Sequence, residues 1–257
     1  MKKLIAMLLA LTMVLALAAC GETPDAPETT TAPAVETTEA PADETTEATS
    51  GEEAPAVMTY AEYEAAAIDD AVTVECYVQA TQSWWEDKIT VYAQDADGAY
   101  FIYEMKCAEA DAAKLTEGTK IRVSGFKGEW AGEVEIMDGT FEFVEGADTF
   151  VAEPMDATKL LGTEDLIKHQ NKKVSFKGLT IKKIEYKNGE PGDDIYVTVA
   201  KGEGEYSFCV ERYLTDPETD VYKAFADLKE GDVVDMEGFL YWYEGVNTHI
   251  TAVAKAA

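Results

Sequence analysis

One stretch of this 257-residue chain occurs twice. Leu115-Thr116-Glu117-Gly118-Thr119-Lys120-Ile121-Arg122-Val123-Ser124-Gly125-Phe126 returns as Leu228-Lys229-Glu230-Gly231-Asp232-Val233-Val234-Asp235-Met236-Glu237-Gly238-Phe239. A leucine, a glycine, three apolar positions and a second glycine recur at one spacing, which marks two copies of a single supersecondary unit. The chain is thereby constrained to fold twice in the same way.

The flanks repeat as well. Thr59 before residues 60–67 and Thr163 before residues 164–169 are each placed to cap a short helix. A strand of alternating character follows, with Val72, Val74, Cys76 and Val78 in the first copy and Val174 and Phe176 in the second. Next comes a hairpin. Residues 89–93 and 100–103 flank Asp97-Gly98, and residues 195–200 and 206–210 flank Gly202 to Gly204. A helical segment, 109–115 or 222–228, precedes two further strands.

Five strands with a helix between the third and the fourth resembles the OB-fold, a partly open Greek-key barrel. The resemblance implies an all-β fold with short helices, in two consecutive five-stranded OB-fold-like barrels spanning residues 57–150 and 151–257. The run of leucine, glycine, alternating apolar residues and glycine looks like the loop and fourth strand of that family.

The first 56 residues read differently. Lys2 and Lys3 precede an apolar run over residues 4–17 broken only by Thr12, the profile of a signal peptide. That run falls short of the roughly 20 residues needed to span a bilayer. Leu17-Ala18-Ala19-Cys20 followed by Gly21 resembles the lipobox of bacterial lipoproteins. The resemblance implies cleavage after residue 19, acylation of the Cys20 thiol and an address on the outer face of the cell membrane. Acyl chains contribute about 0.8 kcal/mol per buried methylene, so two or three anchor a protein firmly. Residues 21–56 hold ten acidic side chains, no basic one, nine threonines and five prolines. Such a composition buries too little surface to offset its ordering entropy, and predicts that residues 20–56 form a disordered tether.

Composition bears on function next. The formal net charge is −29. Residues 57–150 carry 20 acidic and 6 basic side chains, and residues 151–257 carry 20 and 13. Nucleic-acid affinity comes mostly from cations displacing counterions, so this balance argues against a polyanion partner. Lys172, Lys173, Lys177, Lys182 and Lys183 form a local basic strip, which alternation places on a solvated strand face. Arginine occurs only at Arg122 and Arg212, too few to rebuild the phosphate clamp of a thermonuclease-like OB enzyme.

The two histidines, His169 and His249, belong to no hydrolase or metalloprotease motif. They read as exposed or core-edge residues. Gln94-Asp95-Ala96-Asp97-Gly98 echoes a calcium loop without its bidentate glutamate, and a hairpin turn is the expected role. No catalytic residue, metal ligand or cofactor is expected. Besides Cys20, the odd set Cys76, Cys107 and Cys209 speaks against a disulfide framework, while a single Cys76–Cys107 bridge stays open.

Aromatic residues are the strongest candidates for binding. In the OB resemblance, the loop between strands one and two and the loop between strands four and five border one face. Trp84 and Trp85 fall in the former and Trp130 in the latter; the second copy places Tyr186 near the former and Tyr241, Trp242 and Tyr243 in the latter. Such rings make large amphipathic contacts, though they also serve to plug barrel ends. The expected function is a membrane-tethered binding or adaptor lipoprotein recognising an envelope protein or glycan without catalysis. The alternatives are an accessory or substrate-capture subunit of an envelope enzyme or transporter, and a cell-surface nucleic-acid binder or nuclease.

Overall fold

Thr59 caps the first helix. Its hydroxyl accepts the Glu62 amide at 3.3 Å while the Glu62 carboxylate takes the Thr59 amide at 2.8 Å, a reciprocal pair that satisfies two otherwise orphaned donors at the start of α1 (Tyr60–Ala65). The computed structural model describes residues 56–256. The expected signal peptide, Cys20 and most of the tether therefore lie outside the described residues.

In β1 (Ala71–Thr81) Val72, Val74, Cys76 and Val78 all point inward and are buried, as period-two alternation requires. β2 (Lys88–Gln94) and β3 (Ala99–Lys106) form a hairpin whose turn is held by Asp95, its Oδ1 accepting the amides of Asp97 and Gly98 at 2.8 and 2.7 Å. The calcium-like sequence is thus a turn. After α2 (Glu109–Ala112) come β4 (Lys120–Trp130) and β5 (Glu133–Phe143). The strands pair in the closed circuit β1-β2-β3-β5-β4, every contact antiparallel except β3 with β5.

The second half repeats the circuit with one addition. β6 (Met155–Asp156) lies parallel on the edge of β7 (Lys173–Tyr186), which continues through β8 (Ile195–Lys201), β9 (Gly204–Val210), β11 (His249–Lys255) and β10 (Val233–Phe239). A β10–β7 pairing brings the sheet back on itself. This sheet has six strands where five were expected, because the chain entering from the first barrel adds β6. Thr163 does not cap a helix: its hydroxyl donates to the Leu160 carbonyl at 2.8 Å, and only a 3₁₀ turn, Leu166–His169, follows. α3 (Asp220–Ala224) is capped instead by Thr219.

The repeated glycines have the same two duties in both copies. Gly118 and Gly231 sit at φ +86° and +90°, where a side chain is strained, and each donates its amide back to the first long strand of its own sheet, to Val78 in β1 and Ile181 in β7. Gly125 and Gly238 stand where the last strand crosses closest: an added Cβ would lie 2.6 Å from the Met137 carbonyl oxygen or 2.2 Å from that of His249. Both fall at register shifts, as β-bulges that let the sheet curl.

Each barrel has its own core, one gathering Val74, Ile102 and Ile121 and the other Phe176, Val197 and Phe208. A smaller cluster, Tyr92, Phe101 and Phe239, joins them. Tyr92 stacks on Phe239 at 4.6 Å and its hydroxyl meets Nδ1 of His249. His249 is therefore buried in the seam, not exposed, and burial holds its pKa down to about 3. So small an apolar patch leaves polar bonds to set the register of the seam. Gln170 accepts the Val134 amide and donates to the Gly132 carbonyl; Asn171 donates to the Val134 carbonyl; and the Glu244 amide donates to the Ala131 carbonyl.

Candidate functional site

The tip between β1 and β2 is a two-residue turn. Glu86 and Asp87 both adopt positive φ, 46° and 63°, and Trp85 and Lys88 exchange both backbone hydrogen bonds at 2.9 Å. This turn separates the fates of two neighbouring indoles. Trp84 folds back and donates Nε1–H to the Cys107 carbonyl at 2.8 Å, packing on the first core. Trp85 projects outward and is 71% exposed.

Opposite Trp85 stands a segment of the second barrel. Ser83 donates its amide to the Tyr213 carbonyl at 2.8 Å, strapping the β1–β2 loop to the residues that follow β9. Between the two barrels lies a cleft of about 580 Å³, walled by Trp85, Lys88 and Tyr103 on one side and by Arg212 and Tyr213 on the other, with Gln82 and Ser83 at its base. Tyr213 is 54% exposed, with the Arg212 guanidinium 5.6 Å from its ring centre. Lys88 pairs with Glu104 at 2.6 Å, which lowers the Glu104 pKa and raises that of Lys88. Tyr103 donates to the other Glu104 oxygen at 3.2 Å. Burial, and then Glu104, push the Tyr103 pKa upward, so its hydroxyl stays protonated at neutral pH. The lining carries two cations, Lys88 and Arg212, and two carboxylates, Glu86 and Glu104, so its formal charges balance.

The other aromatic candidates go elsewhere. Trp130, 61% exposed, and Tyr243, 51% exposed, lie outside the lining of the cleft. Tyr241 packs into the seam, Trp242 lies over Gly132 against the second core, and Tyr186 is half-buried on that same core. Of the seven rings singled out in the sequence only Trp85 reaches the cleft. Tyr103, Tyr213 and Lys88 carried no motif, and Arg212 entered the sequence reading only as one of two arginines, too few for a phosphate clamp.

Among the described residues no group of three or more His, Cys, Asp or Glu is arranged to hold a metal ion, and no helix is long and apolar enough to cross a membrane. Cys76, Cys107 and Cys209 are buried free thiols, so the Cys76–Cys107 bridge is absent. In the basic strip, Lys173, Lys177, Lys182 and Lys183 pair with Glu117, Asp156, Glu205 and Glu185. Ser83, the hydroxyl at the cleft base, is turned to the Tyr213 carbonyl at 3.3 Å.

No protein-family model and no curated protein matches the chain. Solved structures do. A murine DNA-binding protein bound with double-stranded DNA is 15% identical with a TM-score of 0.35, over 72% of this chain and 96% of that one. The p204 HINb domain is 13% identical with a TM-score of 0.32, over 73% and 97%. A replication protein A heterotrimer bound to single-stranded DNA is 12% identical with a TM-score of 0.31, over 76% and 51%.

Two of these three similar structures are described as bound to DNA, and none is described as a lipoprotein. The bacterial lipoprotein resemblance centred on Cys20, the membrane-tethered adaptor for an envelope protein or glycan, the address on the outer membrane face and the exclusion of nucleic acid have no counterpart among them and are set aside. The physical reasons are plain. A lipobox is a local feature that no fold requires, and Cys20 lies outside the described residues. Net charge is a sum over the whole chain and does not decide the charge of one cleft, whose lining carries two cations and two carboxylates. At such low identities and scores, what those proteins bind is not carried over to this chain.

Proposed function

We propose that this chain is a non-catalytic binding module of two OB-fold-like domains, residues 57–150 and 151–257, which takes a flat, uncharged ring into the cleft between its barrels. The strand circuit β1-β2-β3-β5-β4 with a helix between β3 and β4 supports the OB-like reading. In that architecture ligands lie on strands two and three beside the first loop, and the cleft occupies that position on the first barrel. One observation carries the proposal: Trp85, Tyr103 and Tyr213 expose their faces around a single cleft whose polar groups balance in charge. Flat rings stack on such faces with about 1–3 kcal/mol each. The first probes are uncharged nucleosides, read by quenching of tryptophan fluorescence. Saturable quenching that Trp85→Ala abolishes and Trp130→Ala leaves intact supports the reading; quenching unchanged by Trp85→Ala overturns it.

Arg212 and Lys88 beside the rings favour a second reading, in which the ring is a base of a nucleic-acid strand. Short single- and double-stranded oligonucleotides distinguish the two. Affinity that falls steeply from about 50 mM to about 200 mM salt marks phosphate contacts, whereas a salt-independent affinity confines recognition to the base.

A further inference from the structure

Glu133 opens β5 inside the seam and is completely buried. Its Oε2 accepts the amide hydrogen of Trp242 from the other barrel at 2.7 Å, while Oε1 is buried without a hydrogen-bond partner. The Trp242 ring covers the spot so closely that a Cβ on Gly132 would lie 2.8 Å from its Cδ1.

The groups around Glu133 offer no cation. On its own strand stands Glu135, itself buried. From α1 comes the Tyr63 phenol, whose oxygen is also buried and unpartnered. Tyr241 approaches from the segment after β10. The side-chain amides of Gln170 and Asn171 donate to the carbonyls of Gly132 and Val134 and also turn toward the Glu133 carboxyl, where they draw its pKa down against the larger effect of burial. Lys127, which lies over the Tyr63 ring, donates its ammonium hydrogens to the carbonyls of Tyr63, Glu64 and Ala66. Burial raises the Glu133 pKa to about 9 and that of Glu135 to about 7, so both sit far above ordinary carboxylates.

We propose that a protonated Glu133 holds the seam shut, and that loss of its proton frees the Trp242 segment and loosens the first barrel from the second. A carboxylate in a dry seam with one oxygen unpartnered needs water, and water enters only where the Trp242 ring lifts from Gly132. The carboxyl O–H bond breaks, its electron pair stays on oxygen, the proton leaves to solvent, and no other covalent bond changes. Because Trp85 and Tyr103 sit on one barrel and Arg212 and Tyr213 on the other, the cleft would open with the seam; that consequence rests on the proposed function, but the seam does not.

The test is nuclear magnetic resonance on the full chain, free of any ligand, from about pH 6 to about pH 10. The side-chain carboxyl carbon of Glu133 is expected to titrate in the alkaline range, and the Trp242 amide resonance to move with the same midpoint, while core amides such as Val91 and Ile181 hold still. Glu133→Gln should remove the Trp242 transition. An ordinary acidic titration of Glu133 overturns the proposal. So does a Trp242 amide that stays fixed while the carboxyl ionises, or the same transition persisting in Glu133→Gln. Should that variant fail to fold, the two wild-type titrations decide alone.

Discussion

Replacing Glu133 with glutamine makes stability itself report on the seam. The carboxyl has an ordinary pKa of 4.5 when the chain is unfolded and about 9 when folded. The folded protein therefore holds a proton that the unfolded chain has lost across that window. By linkage, the contribution is complete below pH 4.5 and is lost as pH rises toward 9, at about 1.4 kcal/mol per pH unit. At pH 7 the wild type thus carries a cost of roughly 3 kcal/mol for protonating Glu133 on folding. Glutamine keeps an acceptor for the Trp242 amide and has no proton to gain. It also brings an NH₂ group toward the unpartnered side, a penalty of about 1–3 kcal/mol. The two nearly cancel at pH 7, so the slope, not the midpoint, is diagnostic. Urea unfolding at several pH values is the assay. Relative to wild type, Glu133→Gln should gain about 1.4 kcal/mol per pH unit between pH 5 and pH 9. Parallel stability curves for the two proteins would refute the burial argument.

Three further outcomes follow from the same geometry. Gly238→Ala, which places a Cβ 2.2 Å from the His249 carbonyl oxygen, should cost several-fold more stability than Gly231→Ala, whose Cβ meets open space and pays only the left-handed backbone strain of about 1–2 kcal/mol; thermal unfolding of both compares them. Tyr92→Phe strips the hydroxyl from Nδ1 of His249 in the buried seam and should cost about 1–3 kcal/mol in denaturant unfolding. His249, its pKa depressed from 6.5 to about 3, stabilises the fold fully above pH 6.5 and loses that contribution as pH falls toward 3; His249→Gln should flatten this acid limb of the stability curve.

Much of the architecture was legible along the chain. The inward run Val72, Val74, Cys76 and Val78 declared β1 by its period, and Asp97-Gly98 declared the hairpin turn. The paired glycines Gly118 and Gly231 announced a shared loop because glycine adopts a left-handed backbone at least cost. The ends of elements were less legible. Thr163 looked like a cap as good as Thr59, yet only Thr59 is followed three residues on by the glutamate that closes a capping box. Thr163 spends its hydroxyl on Leu160.

The site was legible only in part. Trp84 and Trp85 are adjacent and chemically identical, and nothing in their order tells which faces solvent. The turn at Glu86-Asp87 and a hydrogen bond to Cys107 decide it. Tyr213 and Tyr103, 110 positions apart, meet across a cleft only because the barrels dock. Likewise His249 looked like a strand residue of no consequence until Tyr92, from the other copy, closed over it.

Period, glycine placement and turn chemistry are local quantities. They act between residues a few positions apart, and so the sequence alone determined an all-β chain in which one pattern of strands recurs, though not the added β6. The docking of those barrels is a long-range event: it buries Glu133 and His249, splits the aromatic residues between seam and solvent, and builds the cleft from both halves. Burial changes the free energy of a charged group by kilocalories per mole without changing its identity. Only the tertiary structure could decide which carboxyl keeps its proton and which tryptophan is free to bind.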